Sequence, residues 1–407
     1  MKKTVLREYA KLIAKAGANV QKGQEVFIQA ELDQPEFVAM VVDECYKLKA
    51  KKVVVDWSYQ PLTKLHVRYR SVKTLSTLDN YEEARWQHYV DTIPCRIYLI
   101  SEDPDGLRGV NQEKMAKSQQ AKYPIIKGYR DQIENKYQWC IAAVPGEKWA
   151  KKLFPELRAS QAVEKLWDAI LKTSRVTDDP IKAWEDHNRD LHDRCEYLNN
   201  LHIRELRYKS SNGTDFTVGM IPEAQFCGGG ETSLQGIFFN PNIPTEECFI
   251  SPMRGVAEGI VYATKPLSYQ GQLISGFWIR FHEGKAVEWH AEENNELLTK
   301  LIEMDEGSRY LGECALVPFD SPINQTGLLF YNTLFDENAC CHLALGMGFA
   351  DTIQDFQNKT LDECRKLGVN DSMIHEDFMI GSADLSIDAV CEDGKTAAIF
   401  RNGTWAF

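Results

Sequence analysis

Glu25-Val26-Phe27-Ile28-Gln29-Ala30, then a helix-patterned stretch from about Pro35 to Lys49, then Lys52-Val53-Val54-Val55-Asp56-Trp57: this run decides the fold class of the first half of the chain. The two flanking hexapeptides are β-prone and read as short strands. Between them Phe37, Val38, Val41, Val42, Cys45 and Tyr46 recur at helical spacing. Strand, helix and strand in that order imply a parallel pair joined by a crossover helix. The pattern continues on both sides. Leu6, Tyr9, Ala10, Ile13 and Ala14 recur at helical spacing upstream, with Gly17 as a stop signal. Downstream, Cys95-Arg96-Ile97-Tyr98-Leu99-Ile100 and Gln138-Trp139-Cys140-Ile141-Ala142-Ala143-Val144 read as further strands with polar helical stretches between them. No Gly-x-Gly-x-x-Gly follows any of these strands and no Walker-type loop is present, so a dinucleotide site is not indicated.

Residues from about 160 to 200 are helical in pattern and rich in charge. Beyond Asn199-Asn200 the texture changes. Strand-like runs dominate, at Leu206–Tyr208, Asp215–Val218, Gly255–Ala263, Leu273–Phe281 and Lys285–Trp289, punctuated by Gly, Pro and Asn turns. A helix is expected from about Asn294 to Glu303. At 407 residues the chain exceeds what one core usually organises. The expected architecture is an α/β N-terminal domain, 1–200, with a parallel sheet and crossover helices, and a β-rich α+β C-terminal catalytic domain, 201–407.

Composition narrows the class. A formal net charge of −12 argues against nucleic acid as a partner. No stretch is long and apolar enough for a membrane span or for the core of a signal peptide. The 11 cysteines have no paired spacing and no Cys-x-x-Cys, which predicts free thiols and a cytoplasmic setting.

Four segments could carry chemistry. His375 and Asp377 lie two apart in Ile374-His375-Glu376-Asp377-Phe378-Met379-Ile380-Gly381, so on a strand both face one side. Their apolar neighbours favour burial, which costs several kcal/mol unless the pair is matched to each other or to a metal. Phe335-Asp336-Glu337-Asn338-Ala339-Cys340-Cys341-His342 offers Glu337 and His342, which would sit about 140° apart on a regular helix and converge only at a helix start or in a loop. Leu311-Gly312-Glu313-Cys314-Ala315-Leu316-Val317 puts one acid inside an apolar strand. Asn240-Pro241-Asn242-Ile243-Pro244-Thr245-Glu246-Glu247 uses two prolines to fix an extended approach to a pair of acids. Each also has a plain structural reading: a His–Asp hydrogen bond, a polar helix start, an edge-strand acid, a solvated loop. Taken together, the six potential ligands Glu247, Glu313, Glu337, His342, His375 and Asp377 form a carboxylate–imidazole set of the kind that holds paired divalent metals for hydrolysis. His187 and His192 are expected at a helix surface, Cys227-Gly228-Gly229-Gly230 as a flexible loop, and His-Glu-x-x-His and Gly-x-Ser-x-Gly are absent.

In that order the four segments resemble the aminopeptidase T/aminopeptidase S family of metallo-aminopeptidases. Gly213-Thr214-Asp215-Phe216-Thr217-Val218-Gly219, and Trp184 with His187 and Leu191, are similar to the family as well. The resemblance implies a two-domain cytoplasmic enzyme and a homodimer whose active sites face an internal cavity. It implies a peptide substrate with a free N-terminus, from which N-terminal amino acids are removed with two divalent metal ions per chain (Zn, Co, Mn or Mg). Carried over by position, the ligands are Glu247, Glu313, Glu337, His342, His375 and Asp377. Glu313 or an unliganded Glu246 is the expected general base. One departure stands out. The family carries a Tyr seven residues after the first His, whereas this run, from His342 to Phe349, has Phe at that place. A phenol there could donate to the tetrahedral oxyanion, and comparable donors contribute about 2.7–4 kcal/mol. Two other readings stay open: a mononuclear non-heme Fe(II) ring-cleaving dioxygenase using His342, His375 and Asp377, and a catalytically weakened metal- or peptide-binding relative.

Overall fold

The apolar runs of the first half form the expected strands. In the computed structural model, which describes residues 1–407, they are β1 (Glu25–Glu31), β2 (Lys52–Ser58), β3 (Cys95–Ile100) and β4 (Trp139–Ala143). All pair in parallel, in the order β2-β1-β3-β4. The crossovers carry the helices Pro35–Lys47, Gln60–Tyr69, Asn80–Thr92 and Gln112–Ile133. Local chemistry sets their ends. Proline in the first turn opens Pro35–Lys47, where a missing N–H costs nothing. Asp79 and Glu82 make a reciprocal capping box at the start of Asn80–Thr92. Val26, Ile28, Ile97 and Cys140 share one face of the sheet and are fully buried there. A fifth strand, β5 (Asn242–Ile243), adds in parallel to β4. Nothing local in the sequence announces that pairing.

The chain divides into two compact units, Met1–His187 with Gly230–Thr245, and Asn188–Gly229 with Glu246–Phe407. A single cut near Asn199-Asn200 describes these ranges only in outline, because the segment carrying β5 returns to the first unit.

The second unit has two antiparallel sheets. The larger has nine strands, among them Ile203–Lys209, Asp215–Met220, Pro252–Tyr262, Gln272–His282 and Ser386–Cys391. The smaller has four, β6 (Cys248–Ile250), β7 (Leu311–Leu316), β8 (His342–Gly346) and β9 (His375–Met379), in that spatial order. One apolar core takes Leu206, Phe216, Val218 and Phe277 from the larger sheet and Cys248, Ile250, Cys314, Leu316, Leu343, Leu345 and Phe378 from the smaller. Phe277 and Phe378 meet across it with ring centroids 5.9 Å apart. The smaller sheet therefore gives one face to the core and keeps the other for different residues.

Candidate metal centre

Strand alternation sorts the small sheet. Residues paired across an antiparallel ladder share a face. Phe249 pairs with Ala315, Ala315 with His342, and His342 with Met379. Glu313 pairs with Ala344, and Ala344 with Asp377; Gly346 pairs with His375. The residues between them, Cys314, Leu343, Leu345 and Phe378, are the ones already buried in the core. Glu313, His342, His375 and Asp377 thus project from the side facing away from that core.

Gly312 makes this possible. Leu311 and Glu313 are two apart and would share a face in a regular strand. A bulge between them lets Leu311 pair with Leu345 and join the core while Glu313 pairs with Ala344 on the other face. A β-carbon on Gly312 would come within 2.2 Å of the Met347 carbonyl oxygen. The site face is also cleared by small residues. Ala315, Ala344 and Gly346 lie between the functional side chains, and strands on either side of Ala344 stand roughly 10 Å apart. Longer arms close over that gap.

They converge in two groups of three. Glu247, Glu313 and His342 place one ligand atom each within 4.8 Å of one another, and so do Glu313, His375 and Asp377. Glu313 belongs to both. His342 Nε2 lies 3.3 Å from Glu247 Oε2, and His375 Nε2 lies 3.0 Å from Glu313 Oε2 and 3.4 Å from Asp377 Oδ1. The opposite ring nitrogens face backbone. His375 Nδ1–H donates to the Met347 carbonyl at 2.7 Å, and His342 Nδ1–H to the Cys340 carbonyl at 3.3 Å. Since a carbonyl can only accept, each Nδ1 carries a proton and each Nε2 faces the cluster, its lone pair open to a cation once the imidazole is neutral. That is how metal-binding histidines are oriented.

The electrostatics of the cluster call for positive charge. Burial, then the nearby Asp377 and Glu247, push Glu313 up to about 7 despite its bond to His375. Burial, then Asp377, Glu247 and Glu313, push Glu337 well above the usual carboxylate range. Burial opposes the charged form of both imidazoles, yet the facing carboxylates outweigh it: His342 rises to about 9, chiefly through Glu247, and His375 rises well above its ordinary value, chiefly through Asp377. Burial acts to raise Asp377, but His375 more than offsets it and holds the carboxyl low. Asp377 Oδ1 is nevertheless buried without a hydrogen bond, a condition that ordinarily costs about 1–3 kcal/mol or more for a charged group. Divalent cations fit this set. They would take the place of the protons, satisfy Asp377 Oδ1, and accept mixed nitrogen and oxygen ligands. Binding must therefore displace protons at pH 7, above all from His342. Metal affinity is expected to rise with pH up to about 9, with proton release seen as a dependence of the binding heat on buffer ionisation enthalpy. An affinity that is flat from pH 6 to 9 would contradict this.

The other expected residues fall as follows. Glu337 opens the 3-10 turn Glu337–Ala339 after the short helix Thr333–Asp336, so it reaches the cluster from a loop, not from a regular helix. Its Oε1 accepts from Asn338 Nδ2 at 3.2 Å, and its carboxyl hydrogen-bonds Asp377. It lies outside the two three-residue groups. Glu246 is buried but outside both groups too, and its backbone N–H donates to Asn338 Oδ1 at 2.7 Å. Asn338, fully buried, thereby ties Glu337 to the segment carrying Glu246 and Glu247. Its only sequence signal was a lone Asn beside a candidate ligand. Asp336 is not the solvated helix-start acid of the plain reading; it is buried and accepts from Phe330 N–H and Asn332 N–H. His187, expected at the surface, is buried with Nε2 on the Thr245 carbonyl at 2.8 Å. The cause is its packing beside Trp184, with ring centroids 5.6 Å apart, which a charged helix pattern conceals.

A family model described as thermophilic metalloprotease (M29) matches residues 2–405. The chain belongs to the M29 metalloprotease family. Aminopeptidase AmpS of Bacillus subtilis (strain 168) is 39% identical to it over 404 residues, 99% of this chain and 98% of that one. Aminopeptidase T of Thermus thermophilus is 36% identical over 405 residues, 98% of each chain. The solved structure of wild-type AmpT from Thermus thermophilus superposes with a TM-score of 0.89 at 35% identity, covering 100% of both chains. The expected family and fold class are thus borne out. A 2,5-dihydroxypyridine dioxygenase from Pseudomonas putida KT2440 matches with a TM-score of 0.53 at 12% identity, which is a likeness of fold alone. Within this M29 chain the Phe349 ring lies 4.7 Å from the His375 ring, so the residue that departs from the family pattern touches the centre directly.

Proposed function

We propose that this chain removes N-terminal residues from peptides at a centre for two divalent cations held by Glu247, Glu313, Glu337, His342, His375 and Asp377. By family it is a metallo-aminopeptidase, a hydrolase. The observation that carries the two-cation reading is the sharing of Glu313 between the two three-residue groups. Zn, Co, Mn and Mg all suit such ligands. Bound cations would supply Lewis acidity, making water a nucleophile near neutral pH and polarising the scissile carbonyl.

The chain's own groups supply the rest. The two Nδ1–H···O=C bonds fix the imidazoles so that the ligand atoms need no reorganisation. Glu313 is the first candidate to take a proton from the attacking water and return it to the leaving amine, because it is the buried carboxylate common to both groups. Glu246 is the second candidate.

Family membership favours the aminopeptidase over the mononuclear iron reading, since the dioxygenase likeness is one of fold alone at 12% identity. Calorimetric titration should give two cations per chain, with turnover of aminoacyl-p-nitroanilides or short peptides in the presence of Co²⁺, Zn²⁺, Mn²⁺ or Mg²⁺. One iron per chain would favour the dioxygenase, and no turnover with any metal the weakened relative.

A homodimer is also proposed. Leu62, Leu65 and Tyr69 lie along one stripe of the helix Gln60–Tyr69 and are exposed, as are Trp57 and Tyr59, an apolar surface that a partner copy would cover. Sedimentation equilibrium should give twice the chain mass, and Leu62→Glu with Leu65→Glu should give the monomer; a wild-type monomer refutes it. No helix is long and apolar enough to cross a membrane. A cytoplasmic location is proposed from the free state of all cysteines, to be checked by cell fractionation.

A further inference from the structure

Two aromatic rings stand beside the carboxylate–imidazole cluster, and neither is a ligand. Phe249 pairs with Ala315, itself paired with His342, so its ring rises from the same face of the sheet and the same row as His342. Phe349 follows β8 and lies over that face. Its ring centroid is 5.7 Å from Phe249, nearly edge to face at 76°, and 4.7 Å from His375. Both rings are only partly buried, although every residue of β7 and β8 beside them is buried. The backbone of Phe349 is pinned. Its N–H donates to Ser251 Oγ at 2.7 Å, and its carbonyl accepts from Thr352 Oγ1 at 2.7 Å. The pair is thus a fixed apolar surface next to a strongly polar centre.

We infer that Phe249 and Phe349 form the wall of a subsite that receives the side chain of the substrate's N-terminal residue and favours apolar ones. The inference rests on the aminopeptidase reading and deepens it. A peptide whose first carbonyl and α-amine lie at the cluster has its first Cα between them, so its first side chain would leave beside the ligands, where the Phe349 ring stands 4.7 Å from that of His375. Aromatic faces reward an aliphatic or aromatic side chain by the area removed from water. The same apolar wall disfavours an acidic side chain, whose carboxylate would lose its water there without gaining a partner. Phe349 thereby serves as a contact surface where a phenol would have served as a donor. Phe249 is a specificity-determining residue; Phe349 shares that role and also positions His375.

The test compares metal-loaded wild type with Phe249→Ala and Phe249→Leu, since Phe249 has no ring contact with a ligand imidazole. Leu- and Phe-p-nitroanilides are expected to exceed Ala-p-nitroanilide in kcat/KM by roughly 10-fold or more, and Glu-p-nitroanilide to be poorest. Phe249→Ala should narrow the Leu/Ala ratio to about 2–3-fold with metal content unchanged, and Phe249→Leu should recover most of it. A ratio unchanged in folded, metal-replete Phe249→Ala overturns the subsite. Calorimetric binding of free L-leucine and glycine separates the two ideas. Should wild type turn over no substrate yet bind leucine over glycine, with the preference lost in Phe249→Ala, the subsite stands and the aminopeptidase reading falls. Equal binding of both amino acids by wild type, whether or not it is active, overturns the subsite. If Phe249→Ala does not fold by circular dichroism, Phe249→Leu and Phe249→Val carry the same comparison.

Discussion

Glu313→Gln is expected to lower kcat/KM by roughly 10²–10⁴-fold, the range a positioned acid–base group contributes. The substitution keeps the shape of the side chain and removes its charge and basicity. Because Glu313 is common to both three-residue groups, it is the one side chain whose loss reaches both groups at once. It also leaves His375 Nε2, now 3.0 Å from Glu313 Oε2, facing a neutral amide. Metal content decides what the residue does. Activity lost with two cations retained assigns Glu313 to proton transfer. Activity lost together with metal assigns it to holding the cations. Near-normal kcat/KM with normal metal content removes Glu313 from the mechanism and leaves Glu246 as the base to test.

Ala344→Leu is expected to cost as much without touching a ligand. Ala344 is fully buried and paired with Glu313 on one side and Asp377 on the other. Its methyl leaves the space over which those two carboxylates approach. Three further carbon atoms there would fill it and drive the arms apart. Loss of at least one cation per chain and roughly 100-fold in kcat/KM is the expected result, about 2.7 kcal/mol by the usual conversion of a rate ratio. Overpacking also costs about 1–3 kcal/mol of stability, so thermal melting must accompany the assay. Ala344→Gly controls for the backbone and should keep its metal. A folded Ala344→Leu protein with full metal and full activity would place the reacting space elsewhere.

These two positions differ in how far the sequence exposed them. Glu313 was visible as a single acid within an apolar run, since burying such a group without a partner is expensive. Ala344 was invisible, because an alanine in an apolar strand has no chemical signature and acquires meaning only from its neighbours across the ladder. The parallel strands β1 to β4 were legible for the same reason that Ala344 was not. Their signal is local composition, β-branched and aromatic residues between helical periods. The His375-x-Asp377 pair was legible too, because alternation in a strand depends on the strand alone. Where Glu337 would reach was not, since it opens a turn after a short helix while His342 begins a strand. Asn338 and the buried Asp336 were hidden likewise, because their roles are bonds to backbone groups that no spacing encodes.

By itself the sequence determined the fold class, the residue types able to bind metal and the membership that the full-length relatives share. Those follow from periodicity, from the cost of burying charge and from motif order, all written along one dimension. The tertiary structure decided which residues meet. It set four strands from distant parts of the chain side by side, turned the ligands to one face through the Gly312 bulge, divided the two imidazoles about a shared Glu313, and laid Phe349 against His375. Register and side-chain convergence are properties of pairs of strands, and no single strand carries them.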